Sequence, residues 1–150
     1  MTLMHVAAAA VILMQGGTAA RPPTKPQPAA TKPAATDLAV TVTYKGKGTV
    51  DAQHLVIAWL FTDPAITSNS RPVATMSTAR NGDTLTFKDV PAAPVYVFVA
   101  FDRQGGYDGR NGAPPPGTPT ALYSAKGAPA PVKAGGAVKV TFDDSQPWNK

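Results

Sequence analysis

The chain has 150 residues, enough for one ordinary domain with tails. It contains no Cys and no Glu, so all nine acidic residues are Asp, and His54 is the one imidazole beyond the first few residues. That excludes a thiol nucleophile, a disulfide framework, a thiolate zinc site and any Glu-based acid/base pair. The net charge of +5 is unevenly placed. Residues 21–36 hold Arg21, Lys25 and Lys32 without an acid, while 37–150 set 11 basic residues against 9 Asp, a balance of +2. The folded part therefore lacks the dense basic stripe that nucleic-acid binding requires.

Residues 6–14 read VAAAAVILM, an unbroken apolar run that Gly16 and Gly17 end. The small residues Thr18, Ala19 and Ala20 follow. This is the pattern of a secretory signal peptide, with cleavage expected near Ala20 and a secreted or periplasmic destination. The run is too short to span a bilayer, so no membrane span should remain after cleavage. Residues 21–36, RPPTKPQPAATKPAAT, contain five Pro and no aromatic or large aliphatic residue. Such a segment buries too little apolar surface to offset the entropy of ordering and reads as a disordered, extended tether.

From Asp37 the hydrophobic period becomes two. Leu38, Val40, Val42 and Tyr44 alternate with Ala39, Thr41 and Thr43, which predicts a half-buried strand. The segment 54–62, HLVIAWLFT, is apolar on both faces and predicts a strand covered on both sides, ended by Asp63-Pro64. A weaker strand is expected over 73–78. Asn81-Gly82 suggests a type I′ hairpin into a strand carrying Leu85 and Phe87. The segment 95–101, VYVFVAF, is a second doubly covered strand. A Gly/Pro-rich connection over 102–119 leads to a short strand at 121–124, and AVKVTF at 137–142 closes the series. Seven strands without a helical stripe predict two sheets packed face to face, with Trp59 as a core plug. A small closed barrel is the alternative. The expected domain is thus 37–150.

The stretch Phe87-Lys88-Asp89-Val90-Pro91-Ala92-Ala93-Pro94-Val95-Tyr96-Val97-Phe98 resembles an element of prealbumin-like bacterial sandwich modules, the carboxypeptidase regulatory-like and transthyretin-like domains. In those families a Phe-x-Asp-Val/Leu-Pro element crosses into a strand with a Tyr near its start. Ala92-Ala93-Pro94 stands here where they usually hold Gly. The strand at 55–61 followed by Asp63-Pro64 is similar to such modules too. The resemblance implies a β-sandwich in an extracytoplasmic protein, usually an accessory or binding module, and it transfers no catalytic residue; together with the strand pattern the expected fold is a seven-stranded antiparallel β-sandwich, immunoglobulin-like or prealbumin-like.

The candidate sites are few. Asp102, Asp108 and Asn111 in the loop 102–119 could offer oxygens to Ca²⁺, although Arg103 and Arg110 would repel the ion and the EF-hand spacing is missing. A purely structural loop, exposed and irregular at one end of the sandwich, is the simpler reading. Tyr107, Tyr123 and Trp148 are aromatics placed to stack on a sugar or a partner surface, or else to fold back onto the sheets, with Trp148 expected to cap the sheet's open end. His54 shows no acid or serine partner at a catalytic spacing, no Gly-x-Ser-x-Gly occurs, and it reads as a surface residue at a strand start. Adjacent Asp143 and Asp144 should point to opposite faces and cannot flank one bond. The expectation is a non-enzymatic binding or structural module without a cofactor, whose partner is an extracytoplasmic protein or polysaccharide. The alternatives are a carbohydrate- or calcium-binding module using the 102–119 loop, and a small Asp-dependent hydrolase built on Asp102, Asp108 and Asp143.

Overall fold

The computed structural model describes residues 36–149. The expected targeting segment 1–20, and the tether apart from Thr36, lie outside the described residues. The described part is all-β. Its strands in chain order are β1 (Leu38–Tyr44), β2 (Val56–Phe61), β3 (Ala74–Thr78), β4 (Thr84–Phe87), β5 (Tyr96–Phe101), β6 (Thr120–Leu122), β7 (Ser124–Ala125), β8 (Ala128–Pro129) and β9 (Ala137–Phe142). A three-stranded sheet has the order β4-β1-β9, a four-stranded sheet the order β3-β2-β5-β6, and β7-β8 form a small ribbon.

The two large sheets share one apolar core, consistent with a β-sandwich. From the three-stranded sheet, Leu38, Val40, Val42 and Tyr44 of β1 enter it with Leu85, Phe87, Val140 and Phe142. From the other come Val56, Ala58 and Leu60 of β2 and Val97, Val99 and Phe101 of β5. The period of two dictates this, since every second residue of a strand faces the same side. At one end of the core Tyr44 stacks on Phe101, with ring centroids 4.1 Å apart. Its hydroxyl donates to Asp144, which also accepts from the Lys47 backbone N–H at 2.9 Å and pairs with Arg103 at 2.5 Å. These donors, the Tyr44 hydroxyl first, hold the Asp144 carboxyl below its usual range. Burial, and then Asp144, push the Tyr44 phenol up.

The structure corrects the sequence reading at four places. Trp59 is not a plug between the sheets. It shares its face with Ile57 and Phe61, on the side of β2 turned away from the three-stranded sheet, because the even-numbered residues of β2 already fill the inner side.

The expectation of an antiparallel sandwich fails at one pair: β1 and β9 run parallel, in register from Ala39↔Ala137 to Tyr44↔Phe142. A parallel pair needs a crossover connection, and here the whole intervening chain supplies it.

Asn81-Gly82 is not a hairpin turn, since β3 and β4 belong to different sheets. The Asn81 side chain instead imitates a strand residue. Its Oδ1 accepts from Tyr44 N–H at 2.8 Å and its Nδ2 donates to Tyr44 C=O at 2.7 Å, extending the β1 ladder past β4.

The hairpin with positive φ at both central residues lies elsewhere, at Lys126 (55°) and Gly127 (80°) between β7 and β8. Both angles are those of a type I′ turn.

Candidate functional site

The outer face of the four-stranded sheet is apolar and covered. Ile57, Trp59, Phe61, Phe98 and Ala100 are buried there together with Ile66 and Trp148. Two irregular segments provide the cover. The first is the loop 102–119 between β5 and β6. Asp102, 2% exposed, folds it back: its carboxylate accepts from Gly105 N–H at 3.0 Å and from Tyr107 N–H at 2.7 Å. Gly109 then comes down on the sheet, and the indole N–H of Trp59 donates to its carbonyl at 2.8 Å. A Cβ on Gly109 would lie 2.4 Å from Ile57 Cγ2, and its φ of 79° is one that only glycine adopts freely. The loop is irregular, as its five Gly and four Pro imply. Its outer residues, Arg103, Gln104, Arg110 and Asn111 among them, are exposed, while Gly109, Pro114, Thr118 and Pro119 are buried, so one side of the loop faces solvent and the other closes over the sheet as a lid.

The second cover is the segment after β9. Thr120 N–H donates to Gln146 C=O at 2.9 Å, Trp148 N–H to Thr118 C=O at 2.8 Å and Gly117 N–H to Trp148 C=O at 2.8 Å. These bonds lay Trp148 against Phe98, with ring centroids 5.6 Å apart. Trp148 thus packs on the sheet's outer face and not over the open end of the sandwich.

The proposed binding aromatics therefore part company. Tyr107 is half-buried over Trp59, centroids 6.2 Å apart, and its hydroxyl donates to Gly112 C=O at 2.7 Å. Its phenol is pushed up to about 12 by burial first, then by the charges of Asp108 and Asp102. Trp148 belongs to the same outer cluster, whereas Tyr123 packs against the core between the sheets. Asp102 and Asp108 do not converge on one point. Both Asp102 oxygens serve its own turn, and Asp108 Oδ1 accepts from Arg110 N–H at 2.9 Å. Among the described residues no three His, Cys, Asp or Glu gather where they could hold a metal ion.

Beside Tyr107 a cleft of about 500 Å³ opens between two loops, lined by Gln53, His54, Leu55, Gln104, Tyr107 and Asp108 among others. His54 is not alone, as the sequence suggested. Asp51, three residues earlier, accepts from the His54 ring Nδ1 at 2.9 Å and from the backbone N–H of Gln53 and His54. Those backbone donors, then the ring, hold the Asp51 carboxyl below its usual range. The Asp-x-x-His spacing was the available signal, since an Asp that turns its own chain brings the residue three further on within reach. Asp108 and Asp143 line different clefts.

Compared with protein-family models, curated proteins and solved structures, the chain matches none. Among the described residues no helix is long and apolar enough to cross a membrane.

Proposed function

We propose that this chain is a secreted or periplasmic, non-enzymatic module with a prealbumin-like or immunoglobulin-like sandwich, which binds a protein or polysaccharide through the loop 102–119. The observation that carries this reading is the locking of a long Gly/Pro-rich loop onto a buried indole, through Trp59, Gly109 and Asp102. A loop pre-ordered in this way loses little entropy on binding. Beside it Gln53, Gln104, Asp108 and Tyr107 line one cleft, the amide, carboxylate and aromatic mixture that suits a sugar. The carboxylates near it support binding over catalysis, because Asp102 and Asp51 are engaged in holding backbone N–H groups. The element from Phe87 to Val95 carries the chain from one sheet to the other, which supports the prealbumin-like reading.

The test has two arms. Full-length protein expressed with its own N-terminus should be exported with an intact mass that begins at Arg21; soluble cytosolic protein retaining residues 1–20 would sink the export reading. The exported protein should capture a glycan or an envelope protein, and Gln104→Ala with Tyr107→Ala should lose that capture. Equal capture by this double variant would remove the loop as the binding surface.

A further inference from the structure

On the other flank of the same loop lies a second polar cleft, of about 340 Å³. One wall is the connection from β2 to β3, residues 68–72, and the other is the loop around Gly109 to Gly112. Thr75 forms its floor; it pairs with Trp59 in the sheet and so shares that residue's outer face. Arg71 lines one wall and Arg110 the other, and no carboxylate lines the cleft. Among the described residues the ion pairs are His54–Asp51, Lys88–Asp37 and Arg103–Asp144, so neither Arg71 nor Arg110 has an acidic partner. Two cationic residues thus line one small cleft, and an anion entering it would meet the attraction of both.

Both walls are fixed at the backbone. Arg110 N–H is held by Asp108, and the residue before it is pinned by Trp59. Across the cleft Ser70 N–H donates to Thr67 C=O at 3.1 Å and Thr67 N–H to Ser70 Oγ at 2.9 Å, closing the turn that presents Arg71. Ser68, Asn69 and Thr75 line the same cleft and offer neutral hydrogen-bonding groups there.

We propose that this cleft binds a phosphate group between Arg71 and Arg110. A guanidinium presents its N–H groups as a planar fork that matches phosphate oxygens two at a time. A carboxylate has one pair of oxygens and satisfies one fork. A phosphate has oxygens in several directions and meets both walls and the floor. The inference goes beyond the binding reading above and does not depend on export: it uses the other flank of the same loop, with Arg71 and Arg110 as the binding groups in place of Gln104 and Tyr107. The phosphate could belong to a small phosphorylated molecule, a phosphodiester polymer or a phospholipid headgroup.

The experiment titrates the full chain with inorganic phosphate at low salt and follows the backbone amide resonances. Saturable shifts should be confined to 68–75 and 109–112. Arg71→Gln and Arg110→Gln should each weaken binding about tenfold, the scale of one charge-assisted hydrogen bond, with melting temperatures unchanged. Sodium acetate should give no saturable shift there. Whichever of glycerol phosphate, poly(glycerol phosphate) or phosphatidylglycerol vesicles binds more tightly than inorganic phosphate names the source of the group. Four results would overturn the proposal: no saturable shift, shifts spread over all Lys and Arg neighbourhoods, acetate binding as well as phosphate, or Gln variants that bind like the wild type. Loss of phosphate binding in the Arg variants with glycan or protein capture retained would separate this site from the cleft at Tyr107.

Discussion

The outer faces of the two sheets are built on opposite principles. On the three-stranded sheet, Thr41, Thr43, Thr84, Thr86, Lys139 and Thr141 face outward, exposed or half-buried, and Thr41 bonds Thr84 hydroxyl to hydroxyl at 2.8 Å across the strands. On the four-stranded sheet, Ile57, Trp59, Phe98 and Ala100 face outward and are buried under chain that has no regular structure. One sheet ends in water and the other continues into a third, irregular layer. That layer forms one wall of each of the two clefts proposed above as binding sites. Apolar side chains on the sheet thus do more than stabilise the fold: they anchor loops that would otherwise be mobile, and the anchored loops are where polar groups can be held in place.

The largest expected difference between the faces is Trp59→Ala. It removes a buried ring and the donor that holds Gly109, and should cost on the order of 3–5 kcal/mol. Denaturant unfolding would measure it, and an unchanged midpoint would mean that the loop does not rest on the indole. Gly109→Ala comes next. The added Cβ meets the Ile57 methyl and the backbone must leave a conformation natural to glycine, so a loss of about 1–3 kcal/mol and a lower melting temperature are expected.

Smaller still is the effect of Tyr107 ionisation. Its folded value of about 12 lies above the ordinary value of about 10, so the native state holds this proton more tightly than the unfolded chain does. Its contribution is full below about pH 10 and is lost as pH rises from about 10 to 12. Tyr107→Phe should flatten that part of the stability–pH curve, leaving the part from Tyr44, whose phenol is shifted in the same direction. The smallest effect belongs to the bare face: Thr41→Ala should change stability by less than about 0.5 kcal/mol in spite of its visible hydrogen bond. A loss comparable to that of Trp59→Ala would erase the contrast between the two sheets.

The alternation in LAVTVTY and the continuous apolar run VIAWLF were enough to distinguish a strand with one wet face from one covered on both. What the run could not say is which cover lies on which side, because parity along a strand is relative. Parity puts Trp59 on one face of β2 without choosing the layer, and the core-plug reading set it on the wrong side of the sheet. The Gly and Pro of 102–119 marked the loop, but its burial depends on one carbonyl meeting one indole, a contact between residues 50 apart. Asn81-Gly82 carried the composition of a hairpin and performs a different task through its side chain. The β7-β8 ribbon was invisible because Ser, Ala and Pro leave no hydrophobic pattern. The pairing of His54 with Asp51 was legible in principle, since both sit in one short turn, whereas the placing of Arg71 and Arg110 on one cleft required the fold.

The parallel pairing of β1 and β9 has a mechanical consequence. Both strands start at the same end of their sheet, so the chain arrives at Leu38 on one side and leaves Phe142 on the other. A load applied between Leu38 and the chain beyond Trp148 would first peel the three backbone bonds that tie residues 146–148 to 117–120. It would then draw the two strands past each other along their length, with the rungs from Ala39 to Tyr44 resisting together instead of opening one after another. A module of this design resists traction more strongly than its thermodynamic stability alone would suggest.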